Sequence, residues 1–165
     1  MTSTNALADE VASLRGTVKA LQDSLSEVRD IQAIQWLLNH YTALHDDACF
    51  DLSKRQEWEN LFATDGVAIY PYGQHKGRQG MGQWAFGGVS YFERSQLLSS
   101  NFDITFSQSR RNAHVRTSCI AQWIKRREVY DDHFDEGGFY NWTLIGLFRV
   151  QMEVISTNQL IQMLC

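Results

Sequence analysis

Apolar residues at Leu7, Val11, Leu14, Val18, Leu21, Leu25 and Val28 recur at alternating spacings of four and three. That interval is the narrow seam of a heptad helix, here with Asp23, Glu27 and Arg29 beside it. From Ile31 the face widens through Ile34, Leu37, Leu38 and Tyr41, as a helix does on entering a globular core. The pattern predicts that this helix ends in His40-Tyr41-Thr42-Ala43-Leu44-His45-Asp46. Residues 1–27 therefore read as a helical arm and 28–165 as the domain. The arm either lies over its own domain or pairs subunits as a coiled coil.

A second short helix is expected around Trp58, capped by Asp51 or Ser53 and facing inward with Trp58, Leu61 and Phe62. Asp65-Gly66 turns the chain into a strand, Val67-Ala68-Ile69-Tyr70, which Pro71 ends. Gly73 to Gly77 reads as a loop or short hairpin. A third helix is expected over Arg78 to Arg94, weakened by Gly80, Gly82, Gly87 and Gly88. From Leu97 the period becomes two: Leu98, Phe102, Ile104 and Phe106 alternate with Ser99, Asn101, Asp103 and Thr105. Ala113, Val115, Cys119, Ala121 and Trp123 then share one face of a strand whose other face carries His114 and Arg116. Asp131 to Gly138 reads as a loop, 139–150 as a central apolar strand, and 159–164 as a short last strand after a turn at 156–158. Helices interleaved with, then followed by, long antiparallel strands define an α+β fold.

Composition narrows the function classes. A chain of 165 residues with 44% apolar and 12% aromatic content is sized for one packed domain. A net charge of −4 gives no electrostatic reason to expect nucleic acid or an anionic membrane. Cys49, Cys119 and Cys165 are odd in number and lack ligand spacing, so neither a disulfide framework nor a zinc site is expected. The acidic run around His133 lacks the alternating oxygen ligands of a calcium loop, and no dedicated metal site is expected. Neither a signal peptide nor a membrane span is apparent, so a cytoplasmic protein is expected.

The helix over 28–44, with the Tyr41-x4-Asp46 offset and this element order, resembles the SnoaL-like branch of the nuclear transport factor 2-like superfamily, to which scytalone dehydratase and the bile-acid dehydratases belong. The resemblance covers about residues 24 to 149. It implies a curved antiparallel sheet wrapped as a cone around a deep cavity, with three N-terminal and interleaved helices. It further implies acid–base chemistry without a cofactor on a polyketide-, steroid- or terpenoid-like ring compound. In family dehydratases an aspartate on the first helix orients a histidine that moves the proton, while tyrosines polarise a carbonyl. Imidazole titrates near neutrality, a carboxylate fixes its tautomer, and a phenol hydrogen-bonds a developing enolate.

Asp46 and Tyr41 match that aspartate and tyrosine. The place of the family histidine falls on Leu97, or on Ser100 under a shifted alignment, while Asn101 matches the asparagine that follows. His45 is the substitute nearest Asp46, although neighbours on a helix point about 100° apart and do not readily pair. Tyr41, Asp46 and His45 are thus the catalytic candidates. Trp58, Tyr70, Trp84, Asn101, Trp123, Tyr140 and Asn141 are candidate substrate-lining residues, since aromatic walls suit a flat apolar molecule. The alternative role is a non-catalytic ligand-binding or assembly subunit. The implied partners are a small hydrophobic molecule and further copies of the same chain. From about residue 150 the chain lacks the family's glycine turn and tryptophan.

Overall fold

The structure, a computed structural model, describes the backbone of residues 2–70, 72–88, 92–125, 141–155 and 158–164, and the side chains of 5–70, 72–88 and 92–124. The chain divides into two compact units, Met1–Trp36 and Leu37–Cys165. The first is helical, part of α1 (Thr2–Phe50). Among the described residues no helix is long and apolar enough to cross a membrane.

The second unit begins with the last turns of α1, which run unbroken past Asp46 to Phe50. The sequence predicted an earlier end, yet Ala48 and Cys49 are buried, so inward packing continues for another turn. Leu37, Leu38, Tyr41, Leu44 and Ala48 recur at the three- and four-residue intervals of one helix face, and all are buried. Asp51 then caps α2 (Leu52–Glu59) by accepting the Ser53 N–H at 2.8 Å. Hydrogen bonds from the Ser53 hydroxyl, at 2.7 Å, and from its N–H hold the Asp51 carboxyl below the usual carboxylate range. Arg55 reaches back to donate to the Ala48 carbonyl at 2.9 Å, tying α2 to the end of α1.

Strands β1 (Val67–Tyr70) and β2 (Gly73–Lys76) form a short hairpin, the second of the two readings of Gly73 to Gly77. The third helix is far shorter than the expected 78–94: α3 spans Met81–Ala85 only. Glycines at 80, 82, 87 and 88 remove helix propensity, and the chain is already strand by Phe92. Two of these glycines have specific work. Gly80 adopts φ 79°, and a Cβ on Gly82 would sit 2.9 Å from the Arg55 carbonyl oxygen. Buried Glu59 accepts both the Gly80 and Gly82 N–H groups, at 3.2 and 2.9 Å, which fastens α3 to the end of α2.

Four antiparallel strands follow in spatial order: β3 (Phe92–Phe106), β4 (Asn112–Lys125), β5 (Asn141–Ile155) and β6 (Asn158–Leu164). The terminal strand exists despite the atypical sequence after 150, and β1 runs beside β6. The β4 alternation is as expected: Ala113, Val115, Cys119 and Ala121 are buried, with Thr117 among them, while His114 and Arg116 face out. The β3 alternation is not. Register breaks between Ser100 and Asp103, where Asn101 adopts φ 56°. Before this bulge Ser95, Leu97 and Ser99 face inward; after it the inward set is Phe102, Ile104 and Phe106. Leu98, predicted inward, is exposed, because an inserted residue reverses the side-chain phase. Asparagine suits the bulge since its short polar side chain tolerates positive φ. Thr117 Oγ1 stitches the bulge across the ladder by donating to the Ser100 carbonyl at 2.6 Å.

Candidate active site

Tyr41, His45 and Asp46 stand on consecutive turns of α1, close to the inward face that packs the domain. The phenol of Tyr41 is buried and lies 2.8 Å from the Tyr70 hydroxyl on β1. Its ring packs with Trp58, Phe62 and His45 at centroid distances of 5.6, 6.1 and 6.3 Å. Phe86 covers the other side of this group, 5.2 Å from the His45 ring and 4.9 Å from Trp58. The imidazole therefore sits in an aromatic enclosure with only 13% of its side chain exposed.

Asp46 faces two directions. Its Oδ2 accepts the Leu97 backbone N–H at 3.0 Å, and its Oδ1 accepts the Ser95 hydroxyl at 3.2 Å, so it ties α1 to the first half of β3. His45 Nδ1 lies 3.5 Å from the same Oδ1. The adjacent residues thus approach each other, contrary to the expectation for ideal helix neighbours. The separation is short enough for charge interaction but too long for a good hydrogen bond. Among the described residues, His45 Nδ1, Trp58 Nε1 and Ser99 Oγ are buried polar atoms with no hydrogen-bond partner, groups that a bound molecule can satisfy.

The thiols of Cys49 and Cys119 share this environment. Burial pushes Cys49 up to about 11, partly offset by its hydrogen bond with Ser95. Burial takes Cys119 to about 12, and the Asp46 charge raises both further. Both thiols stay protonated near neutrality, so they are poor nucleophiles and poor metal ligands. Among the described residues no three His, Cys, Asp or Glu side chains converge as a metal site requires.

The remaining candidates separate into three places. Trp58 belongs to the Tyr41–His45–Phe86 enclosure. Tyr70 links that enclosure to Trp84, whose ring stacks on it at 5.3 Å and 13°. Trp123 lies on β4 across from Ser95, with its ring 6.1 Å from Phe92. Asn101 is exposed at the bulge and is not brought to the Tyr41–His45–Asp46 group, because positive φ turns the backbone there. Tyr140 lies outside the described residues. Asn141 opens β5 opposite Ile124. Beside Asp46 is a cleft of about 690 Å³, lined also by Asp47, Phe50, Asp51, Lys54, Glu93, Arg94 and Ser95. None of the described aromatic candidates lines it.

Ser95, the Leu97 N–H and Phe86 were not anticipated from the sequence. Ser95 and Leu97 have a retrievable signal: they occupy alternate positions on one strand face. The offset to Asp46 becomes visible only when strand and helix are packed together.

A mixed fold with this helix order and an antiparallel sheet defines the nuclear transport factor 2-like class. The chain matches the SnoaL-like domain over residues 26–146 and belongs to that family. No curated protein matches it by sequence. Among solved structures it is similar to a putative scytalone dehydratase from Novosphingobium aromaticivorans, at 17% identity and a TM-score of 0.65, covering 82% of this chain and 81% of that one. It is also similar to a type 2 hexachlorocyclohexane dehydrochlorinase, at 12% identity and a TM-score of 0.66, covering 84% of each. A nuclear transport factor 2-like protein from Salmonella enterica serovar Typhimurium shows 15% identity and a TM-score of 0.60, covering 79% of this chain and 84% of that one. At such identities the likeness establishes the fold, not the reaction.

Proposed function

We propose that this protein is a cofactor-independent dehydratase or isomerase acting on a polyketide-, steroid- or terpenoid-like ring compound. The observation that carries this reading is the enclosed imidazole of His45, with Asp46 at 3.5 Å and the ring of Tyr41, whose hydroxyl pairs with that of Tyr70, at 6.3 Å. With Nδ1 turned to the carboxylate, Nε2 is left as the base. It removes a proton from the carbon next to a substrate carbonyl, and the electron pair moves onto the carbonyl oxygen as an enolate. The tyrosine pair donates a hydrogen bond to that oxygen. In a dehydration the enolate collapses to expel hydroxide from the β carbon, which leaves as water with the proton held on His45. In an isomerisation the proton returns at another carbon.

Two similar structures bear names of eliminating enzymes, a putative scytalone dehydratase and a dehydrochlorinase, which supports an elimination. The test uses cyclic β-hydroxyketones and follows the absorbance of the conjugated enone. His45→Gln keeps the side-chain bulk and is expected to lower kcat by about 10²–10⁴-fold with ligand affinity retained. Turnover within twofold of wild type would remove His45 from the reaction.

A second reading has its own support. Both Asp46 oxygens are already bonded to β3, and Leu97 occupies the family histidine's place, as in a subunit that binds without reacting. Ligand binding with no turnover across the panel, and no change on His45→Gln, would favour it.

A further inference from the structure

The seven seam residues of the arm, Leu7, Val11, Leu14, Val18, Leu21, Leu25 and Val28, are between 38% and 64% exposed. A single stripe of that regularity on a helix is an interface without its other half. We infer that the arm's partner is a second copy of the same arm, aligned parallel and in register as a two-stranded coiled coil.

The residue types choose among the arrangements. The three–four spacing assigns Val11, Val18 and Leu25 to heptad position a, and Leu7, Leu14, Leu21 and Val28 to position d. β-Branched residues at a with leucine at d favour parallel dimers, and two of the three a positions and three of the four d positions conform. The flanking positions agree. In a parallel pair each g residue meets the e residue of the following heptad on the other helix. That sets Glu10 against Arg15, Thr17 against Gln22, and Ser24 against Arg29: one opposite-charge pair per side and no like-charge pair. Gly16 falls at f, on the outside, where a side chain would meet nothing within 4 Å. The seam stops where it should: after Val28 the next a and d positions are Gln32 and Gln35, both polar.

Cysteine cross-linking in the full-length protein tests both partner and direction, with wild type controlling for the native thiols. Val11→Cys and Leu25→Cys should each cross-link to itself under mild oxidation, because parallel register sets like positions face to face. Adding Leu14→Lys and Leu21→Lys to either variant should cut the yield about tenfold or more, since two charges would enter an apolar seam. Folding of the domain is checked by tryptophan fluorescence. An antiparallel pair sets position a opposite position d, so it would cross-link a mixture of Val11→Cys and Val28→Cys chains and neither single variant alone, and that result overturns the inference. So does a yield unaffected by the lysines, or no cross-link from either single variant.

Discussion

Asp46 is the residue where fold and chemistry meet, and a graded substitution separates the two. Its carboxylate accepts the Leu97 N–H at 3.0 Å and the Ser95 hydroxyl at 3.2 Å. A hydrogen bond to a charged group contributes about 1.5–3 kcal/mol, and a buried donor left unpaired costs about 1–3 kcal/mol. Asp46→Ala removes both bonds and leaves the part-buried N–H of Leu97 without this acceptor. The carboxylate is 27% exposed, which lets solvent weaken the effect, so the expected loss is about 2–4 kcal/mol. Asp46→Asn keeps one carbonyl oxygen for the Leu97 N–H, and its amide can donate to the Ser95 hydroxyl. Only charge assistance is lost, at about 1 kcal/mol. At about 2–4 °C per kcal/mol for a domain of this size, melting should fall by about 5–15 °C for alanine and by about 2–4 °C for asparagine. Urea unfolding read by tryptophan fluorescence gives the same comparison without heating. If alanine and asparagine melt together, the carboxylate does not anchor β3. If asparagine melts normally yet abolishes turnover, its role is to orient His45.

Three further outcomes are expected. Gly82→Ala places a Cβ 2.9 Å from the Arg55 carbonyl oxygen, so it should destabilise by about 1–3 kcal/mol in urea titration, whereas alanine at open Gly88 should not. Tyr41→Phe removes the 2.8 Å bond to Tyr70 and should cost about 0.5–1.5 kcal/mol in the same titration, with a larger fractional loss of turnover if the pair polarises a carbonyl. The raised thiols of Cys49 and Cys119 hold protons that the unfolded chain gives up near pH 9.0, so the native state binds more protons above that value. Stability should then be intact below pH 9 and fall as pH rises through 11 and 12, a slope that Cys119→Ala should flatten.

Much of the architecture was legible because it is written in local periodicity. The seam of α1, the Asp51 cap, the β1–β2 hairpin and the alternation of β4 each follow from spacing within a short window. The errors have separate causes, weak local helix propensity in one case and an inserted strand residue in another. The third helix shrank to Met81–Ala85 because glycine-rich sequence has no propensity to extend it, while Glu59, more than twenty residues earlier, fixes its start. Leu98 was assigned to the wrong face because a bulge at Asn101 is invisible to a period-two count. The candidate site was half legible. Tyr41 and Asp46 were identified by their helix offset, but Ser95 and the Leu97 N–H become partners only when β3 packs against α1.

Leu97 alters what Asp46 can hold. With a histidine on the strand, the helix carboxylate would orient a ring projecting from β3. Here the buried leucine offers only its backbone N–H, and the carboxylate binds that and the Ser95 hydroxyl instead. Among the described residues the imidazole beside it is His45, one residue away on the same helix, so imidazole and carboxylate share one element. In the proposed mechanism the price of that arrangement is geometry: Nδ1 stands 3.5 Å from Oδ1 and the hydrogen bond is not closed. Closing it requires a rotation of the imidazole against the tilted rings of Tyr41 and Phe86, 6.3 and 5.2 Å away. On that reading, substrate binding is the event expected to draw His45 onto Asp46. A ¹⁵N-imidazole spectrum should show Nδ1 moving toward the protonated, hydrogen-bonded tautomer when a cyclic ketone is added to the wild type. The same addition to Asp46→Asn should produce no such movement. An imidazole spectrum indifferent to ketone in the wild type would leave the aspartate as a strand anchor alone.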